Sequence, residues 1–432
     1  MVVFIHTADT HLGFRWDKDS RDDWFELQRV RWYENDIYSR WKDVLNYTIT
    51  NKDRIDFIIH AGDIFHVPFA SNPSTPPEPA RRVLVETLSN FFKKTGETIP
   101  IIAIDGNHGV YQGYRYSPME SILTAFPGLI SYYSIWDLKK SISENKPLVH
   151  KIPSKHVNLY LFPYFDYTQS KDYQHAYEEW LENQRPSGEE INIAIVHGST
   201  IDETMHPRIL SFDYDYFALG HEHGYREISK RAYYPGSLAP VTFGEIGAEN
   251  TFLEVRISNK SEEPFVIKNA LVQNREISVI QVDIKPAMST AEIVSLVKRE
   301  LEKFKAVEWD GNTAAILKVI FSGATSLKQF WGLEAELDNL KAQILNGHEY
   351  NVLQLRFEQK NLQKQVEMTP AAKIVDEYIL EDPKQEFLEF VKTKVKAEDG
   401  YEMDLLTDIA MDAINAALKK RGGVSSDDSE KA

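Results

Sequence analysis

Along residues 1–270, short apolar runs alternate with amphipathic stretches. Val2-Val3-Phe4-Ile5, Phe57-Ile58-Ile59, Ile101-Ile102-Ala103-Ile104 and Ile193-Ala194-Ile195-Val196 are unbroken, brief and rich in β-branched residues. Such runs predict strands buried on both faces. Between the first two runs, the spacing of Trp32, Ile37, Trp41, Val44 and Leu45 predicts a helix over roughly 24–51. Another helix is expected over 79–94. After Gly220 the pattern shortens to strands over 232–234 and 252–257, with a polar turn at 258–263. This alternation of strand and helix is the signature of an α/β layer fold.

From about residue 278 the pattern starts again. A strand is expected over 279–284. Ser289-Thr290-Ala291-Glu292 is a capping box that opens a helix to about residue 304. A strand over 315–321, a helix over 327–345 and a strand over 352–357 complete a small α+β domain. Pro370 introduces a helix carrying Ile374, Val375, Tyr378 and Ile379. A second helix carries Phe387, Leu388, Val391 and Val395, and a third Leu405, Leu406, Ile409 and Leu418. These helices pack on the body or dock on a partner; the pattern fits both. Residues 422–432 are Gly-, Ser- and Asp-rich and are expected to be disordered. The expected division is therefore 1–275, 276–360, 361–421 and 422–432.

The 432 residues carry a net charge of −16. That argues against coating nucleic acid by charge alone. Local basic pairs such as Arg81-Arg82, Lys93-Lys94, Lys139-Lys140 and Lys230-Arg231 read mostly as solvated surface. The absence of cysteine excludes disulfides and thiolate zinc sites. With no apolar run of about 18 residues and no secretory pattern at the start, a cytoplasmic location is expected, nucleoid-associated in a prokaryote.

The chemistry lies just past the apolar runs. Asp9-Thr10-His11, Gly62-Asp63, Gly106-Asn107-His108, His197 and Gly220-His221-Glu222-His223 gather carboxylate, imidazole and carboxamide groups at strand ends, where open α/β sheets bind ligands. Singly, each is an ordinary cap or turn residue. Together they suit hard to borderline divalent ions, Mn²⁺, Fe²⁺ or Zn²⁺, and a two-ion phosphoryl-transfer site. Asp9 and His11, like His221 and His223, are two residues apart and share one side of an extended backbone.

This set resembles the calcineurin-like metallophosphoesterase superfamily, whose pattern is DxH, GD, GNH, H and GHxH. Within it, Asp9-Thr10-His11-Leu12-Gly13, Gly62-Asp63-Ile64-Phe65-His66 and Tyr234-Pro235-Gly236-Ser237 resemble the SbcD-type double-strand-break repair nucleases. The resemblance covers about residues 1–260. It implies a four-layer β-sandwich flanked by helices, followed by a small α+β DNA-capping domain and a helical tail that binds an ATPase. It also implies two Mn²⁺ ions, with Mg²⁺, Fe²⁺ or Zn²⁺ as alternatives. Asp9, His11, Asp63 and His223 would hold one, and Asp63, Asn107, His197 and His221 the other. His108 would protonate the leaving 3′ oxygen, with His66 orienting it. Gly109 stands where the family writes an acid.

The implied activity is 3′→5′ exonuclease and endonuclease action on DNA ends, hairpins or single strands. The chain would act as a homodimer with an SMC-like coiled-coil ATPase of the SbcC type. Tyr114, Arg115 and Arg226 are candidate DNA contacts; loop packing and surface roles fit them as well. Two other readings stay open, a small-substrate phosphodiesterase and a DNA-end adaptor with a weakened site.

Overall fold

The computed structural model describes residues 1–14, 24–66, 76–108 and 117–365, apart from positions 97, 118, 124, 170, 274, 287 and 348. By compactness the chain divides into residues 1–323 with 332–362, and residues 324–331 with 363–432.

The first half runs β1 (Val2–Thr7), α1 (Trp24–Thr50), β2 (Phe57–His60), α2 (Glu78–Thr95), β3 (Ile101–Ile104), α3 (Glu120–Leu123) and β4 (Ile130–Tyr133). Next come α4 (Ile135–Ser143), β5 (Val149–Ile152), β6 (Val157–Phe162), α5 (Lys171–Glu182), β7 (Ile191–His197) and β8 (Tyr216–Gly220). The short strands β9 (Arg226–Ser229), β10 (Ala232–Tyr234), β11 (Thr251–Ile257) and β12 (Phe265–Ala270) follow. They form two six-stranded sheets, ordered β12-β11-β1-β2-β3-β4 and β5-β6-β7-β8-β10-β9. In the first, β1 to β4 are parallel and β11 closes against β1 antiparallel.

The unbroken apolar runs have a packing reason. Val3, Ile5 and Ile58 face α1 and α2, where Ile37, Trp41, Val44 and Leu88 lie buried. Phe4, Phe57, Ile59 and Ile102 face the other way, onto Leu159, Leu161, Ile193 and Ile195 of the second sheet. Ala194 and Val196 in turn cover Trp180 and Leu181 of α5. Helix, sheet, sheet and helix make the four expected layers. The central strands β1, β2, β3 and β7 are buried on both faces and therefore read as unbroken apolar runs.

The later elements are β13 (Ile277–Ile284), α6 (Thr290–Leu301), β14 (Ala315–Ser326), α7 (Leu327–Asn346) and β15 (Val352–Gln365). They build a three-stranded sheet with β14 in the middle and parallel to β13. The capping box at Ser289 and Glu292 forms as expected, each side chain accepting from the other residue's amide. Residues 361–365, expected to start the helical region, instead extend β15. The tail helices from residue 370 and the stretch 422–432 lie outside the described residues. Among the described residues no helix is long and apolar enough to cross a membrane.

Trp32 departs from the expected stripe. It leaves the α1 core face and packs with Trp309, Ile277 and Phe243 around Ala314, Ile316 and Leu353. The physical reason is a second apolar surface, supplied by the three-stranded sheet, which periodicity within one helix does not reveal.

Two buried histidines set an acid limit on stability. His6 lies between the Tyr216 hydroxyl at 3.0 Å and the Leu219 carbonyl at 3.1 Å. His60 meets Thr10 Oγ1 at 2.7 Å. Burial pushes both down to about 3 from an ordinary 6.5. The rings stay neutral in the fold and take up protons on unfolding. Their contribution is therefore complete above pH 6.5 and is lost as pH falls toward 3. Each ring should cost about 2 kcal/mol by pH 5. Thermal melts in chelator should drop markedly between about pH 7 and pH 5, and less so for His6→Gln. A flat melting temperature across that window would contradict the assignment.

Candidate metal centre

The sequence-predicted donors converge where the two sheets meet. Beyond β1 and β2 the chains stay zipped: the amides of Asp9, His11 and Leu12 donate to the carbonyls of Gly62, Asp63 and Ile64 at 3.1, 3.0 and 2.8 Å. This fixes the Asp9-Thr10-His11 and Gly62-Asp63 segments side by side. The second sheet supplies His197 from β7 and His221 and His223 past β8, where the His221 amide donates to both Asp9 oxygens at 3.1 and 3.0 Å. The His108 amide donates to Asp63 Oδ1 at 2.8 Å, tying the loop after β3 to the same carboxylate.

Local backbone is strained to achieve this. Eight non-glycine residues among those described have left-handed backbone, and four are donors: Asp9 (φ 49°), His11 (φ 50°), Asp63 (φ 55°) and His221 (φ 103°). Such conformations cost about 1 kcal/mol or more each and concentrate at functional sites. Gly62 (φ 97°) has no room for a side chain, since a Cβ there would collide with the His197 ring. A Cβ on Gly106 would collide with the Asp63 carboxylate.

The donor atoms form two groups. His11 Nε2 and His223 Nε2 stand 2.9 Å apart with Asp9 beside them. His197 Nε2 and His221 Nδ1 lie 2.9 and 3.2 Å from Asn107 Oδ1. Asp63 Oδ2 lies between the groups, 3.9 Å from His11 Nε2 and 3.4 Å from His197 Nε2. An ion with bonds of about 2.0–2.2 Å holds neighbouring donors about 3 Å apart. Lone-pair donors facing one another at these distances fit cations.

Electrostatics agree. Burial raises Asp9 to about 6. Burial also opposes ionisation of Asp63, but the His197 charge and hydrogen bond, then His11 and His108, hold it well below the carboxylate range. Burial would lower His197, yet Asp63 lifts it to about 9. The buried Asp63 carboxylate thus calls for positive charge beside it, which a divalent cation would supply.

The far ring nitrogens are held as well. His197 Nδ1 donates to the Ala61 carbonyl at 2.8 Å, His221 Nε2 meets Asp202 at 2.6 Å, and His223 Nδ1 meets Glu245 at 2.9 Å. Such partners fix ring tautomer and orientation around a metal. His11 Nδ1 faces His66 Nδ1 at 3.1 Å, and the His66 ring stacks on His108 with centroids 4.5 Å apart.

Residues 2–225, over half the chain, match the calcineurin-like phosphoesterase family. The chain belongs to that family. The family match and the donor groups imply a hydrolase that uses divalent metal ions. The phosphoesterase is also similar to DNA double-strand break repair protein Mre11 of Methanococcus maripaludis, 36% identical over 110 residues, which is 25% of this chain and 23% of that one. It is similar to Mre11 of Saccharolobus solfataricus, 28% identical over 151 residues, 35% and 31% of the two chains. Uncharacterized protein R555 of Acanthamoeba polyphaga mimivirus is 25% identical over 270 residues, 56% of this chain and 17% of that one. The phosphoesterase spans less than a third of the length of each relative.

The nine residues expected as metal ligands or catalytic groups, Asp9, His11, Asp63, His66, Asn107, His108, His197, His221 and His223, gather in this one centre. Tyr114, Arg115 and Gly109 lie outside the described residues. Arg226 opens β9, where its guanidinium pairs with Glu222 at 2.9 Å. Asp202 and Glu245 were not expected. Each reaches its histidine from a separate loop, a contact that no local motif encodes.

Proposed function

We propose that the phosphoesterase is a Mn²⁺-dependent DNA nuclease with 3′→5′ exonuclease and endonuclease activity. In this reading residues 1–275 are the nuclease domain and 276–365 a DNA-capping domain. Residues 366–421 bind an SMC-like coiled-coil ATPase, and the chain acts as a homodimer in double-strand break repair. The observation that carries the reading is the place of Asp63 Oδ2 between two donor groups. Relatives named for DNA double-strand break repair, and a further α/β unit beyond the phosphoesterase layers, favour DNA over a small ester.

Asp9, His11, Asp63 and His223 would hold one ion, and Asp63, Asn107, His197 and His221 the other. The ions would supply Lewis-acid activation of water and neutralise charge on the phosphate oxygens. The chain's own residues do the rest. Asp63 is locked by the His108 amide, so the two donor groups keep a fixed separation. His108 presents its ring beside His11, with centroids 5.0 Å apart, and is braced by His66. From there it would give a proton to the 3′ oxygen as the phosphorus–oxygen bond breaks.

The purified chain should be incubated with Mn²⁺ and an end-labelled duplex, alongside bis-p-nitrophenyl phosphate. Mn²⁺-dependent shortening from the 3′ end is the expected result. Hydrolysis of the small ester with intact DNA would replace this reading with a small-substrate phosphodiesterase. Silence on both would favour the adaptor.

A further inference from the structure

We propose that Glu245 and Phe243 are positioning residues through which the three-stranded sheet sets the orientation of His223. The idea rests on the metal-centre reading above and goes beyond it. Phe243–Glu245 is a single turn of 3₁₀ helix between β10 and β11. One end of that turn grips the metal centre. Glu245 Oε1 meets His223 Nδ1 at 2.9 Å and accepts from Thr242 Oγ1 at 2.9 Å, while Glu245 Oε2 accepts from the Val241 amide at 2.7 Å. The carboxylate is thereby fixed on three sides and leaves His223 Nε2 facing His11.

The other end grips the small sheet. The Phe243 ring packs against the cluster of Ala314, Ile316 and Leu353, with Ile277 beside it. Lys318 Nζ sits 5.7 Å from the ring centroid and is itself paired with Glu358 at 2.6 Å. These residues come from β13, β14 and β15 and from the residue just before β14. Phe243 and Glu245 are two positions apart in one turn, so a displacement of the turn carries both. A shift of the small sheet would pull the turn and swing the carboxylate that holds His223. A ligand that engages the small sheet would thereby change ion binding at the centre.

The test is a double-mutant cycle read as Mn²⁺ affinity by titration calorimetry of the full chain, with a thermal melt of each variant. Glu245→Gln should weaken Mn²⁺ binding about 10–100-fold, as loss of a histidine's outer partner does. Phe243→Ala should weaken it several-fold, although it touches no donor. If Phe243 acts through Glu245, the double variant binds no more weakly than Glu245→Gln alone. Phe243→Leu, which keeps an apolar side chain, should recover most of the affinity.

Unchanged affinity in a folded Phe243→Ala, or strictly multiplicative losses, would overturn the proposal. Should Phe243→Ala lose its cooperative melt, the cycle is run with Phe243→Val, a smaller truncation whose affinity should also fall, and the same two outcomes decide. DNA cleavage does not enter this readout. If the wild type binds Mn²⁺ and cleaves nothing, the nuclease reading fails while the positioning result stands on its own.

Discussion

His108→Ala should lose about 10²–10⁴-fold in DNA cleavage while keeping its ions. The reasoning is geometric. The contact from His108 to Asp63 is made by the backbone amide, which alanine retains, so Asp63 stays locked between the donor groups. What alanine removes is the ring stacked on His66 and set edge-on to His11. If that ring delivers a proton to a poor leaving group, the loss should depend on the leaving group. A 3′ alkoxide needs the proton. A p-nitrophenolate is a far weaker base and leaves without one. Bis-p-nitrophenyl phosphate hydrolysis should therefore fall much less than DNA cleavage, at equal bound Mn²⁺. Equal losses on both substrates would mean that the ring shapes the site and gives no proton.

Gly62→Ala should dismantle the metal centre without touching any donor atom. The residue sits at φ 97°, and an added Cβ would collide with the His197 ring. That ring cannot retreat freely, since its Nδ1 donates to the Ala61 carbonyl and its Nε2 faces Asn107 and Asp63. The positive φ alone costs about 1 kcal/mol in an alanine, and the collision adds to it. The clearer signature is in ion binding. Mn²⁺ at about 100 times its dissociation constant should stabilise the wild type by about 2.7 kcal/mol. The variant should gain almost nothing, and its melt should be the same with Mn²⁺ or chelator. A variant that gains as much as wild type would show that ion binding does not depend on the ring position that the Gly62 Cβ would block.

Much of this molecule could be read from its sequence, and the reasons differ by element. Strands β1, β2, β3 and β7 were legible because each is buried on both faces, so each shows an unbroken apolar run. The capping box at Ser289 was legible because its two side chains are three residues apart. The donors were legible because they sit directly past those strands in short, fixed spacings. Contacts set by the tertiary fold were not. Trp32 turned toward the three-stranded sheet because that sheet offers an apolar surface the α1 pattern does not encode. The Asp202 and Glu245 carboxylates reach His221 and His223 across 19 and 22 residues of chain. β15 outran its expected end, through polar residues such as Gln359, Lys360 and Gln363 that carry no strand periodicity.

The donors of one centre are also far apart along the chain, the His221 amide meeting Asp9 across 212 residues. Loop closure over such a distance is slow and comes late in folding. During synthesis, a nascent polypeptide that has emerged only through β6 carries Asp9, His11, Asp63, Asn107 and His108, yet no opposing imidazoles. It could bind a stray ion weakly, but would lack the second half of the clamp. The site is complete only once both sheets have been made and have closed on one another, so completion of the fold and assembly of the chemistry are a single event.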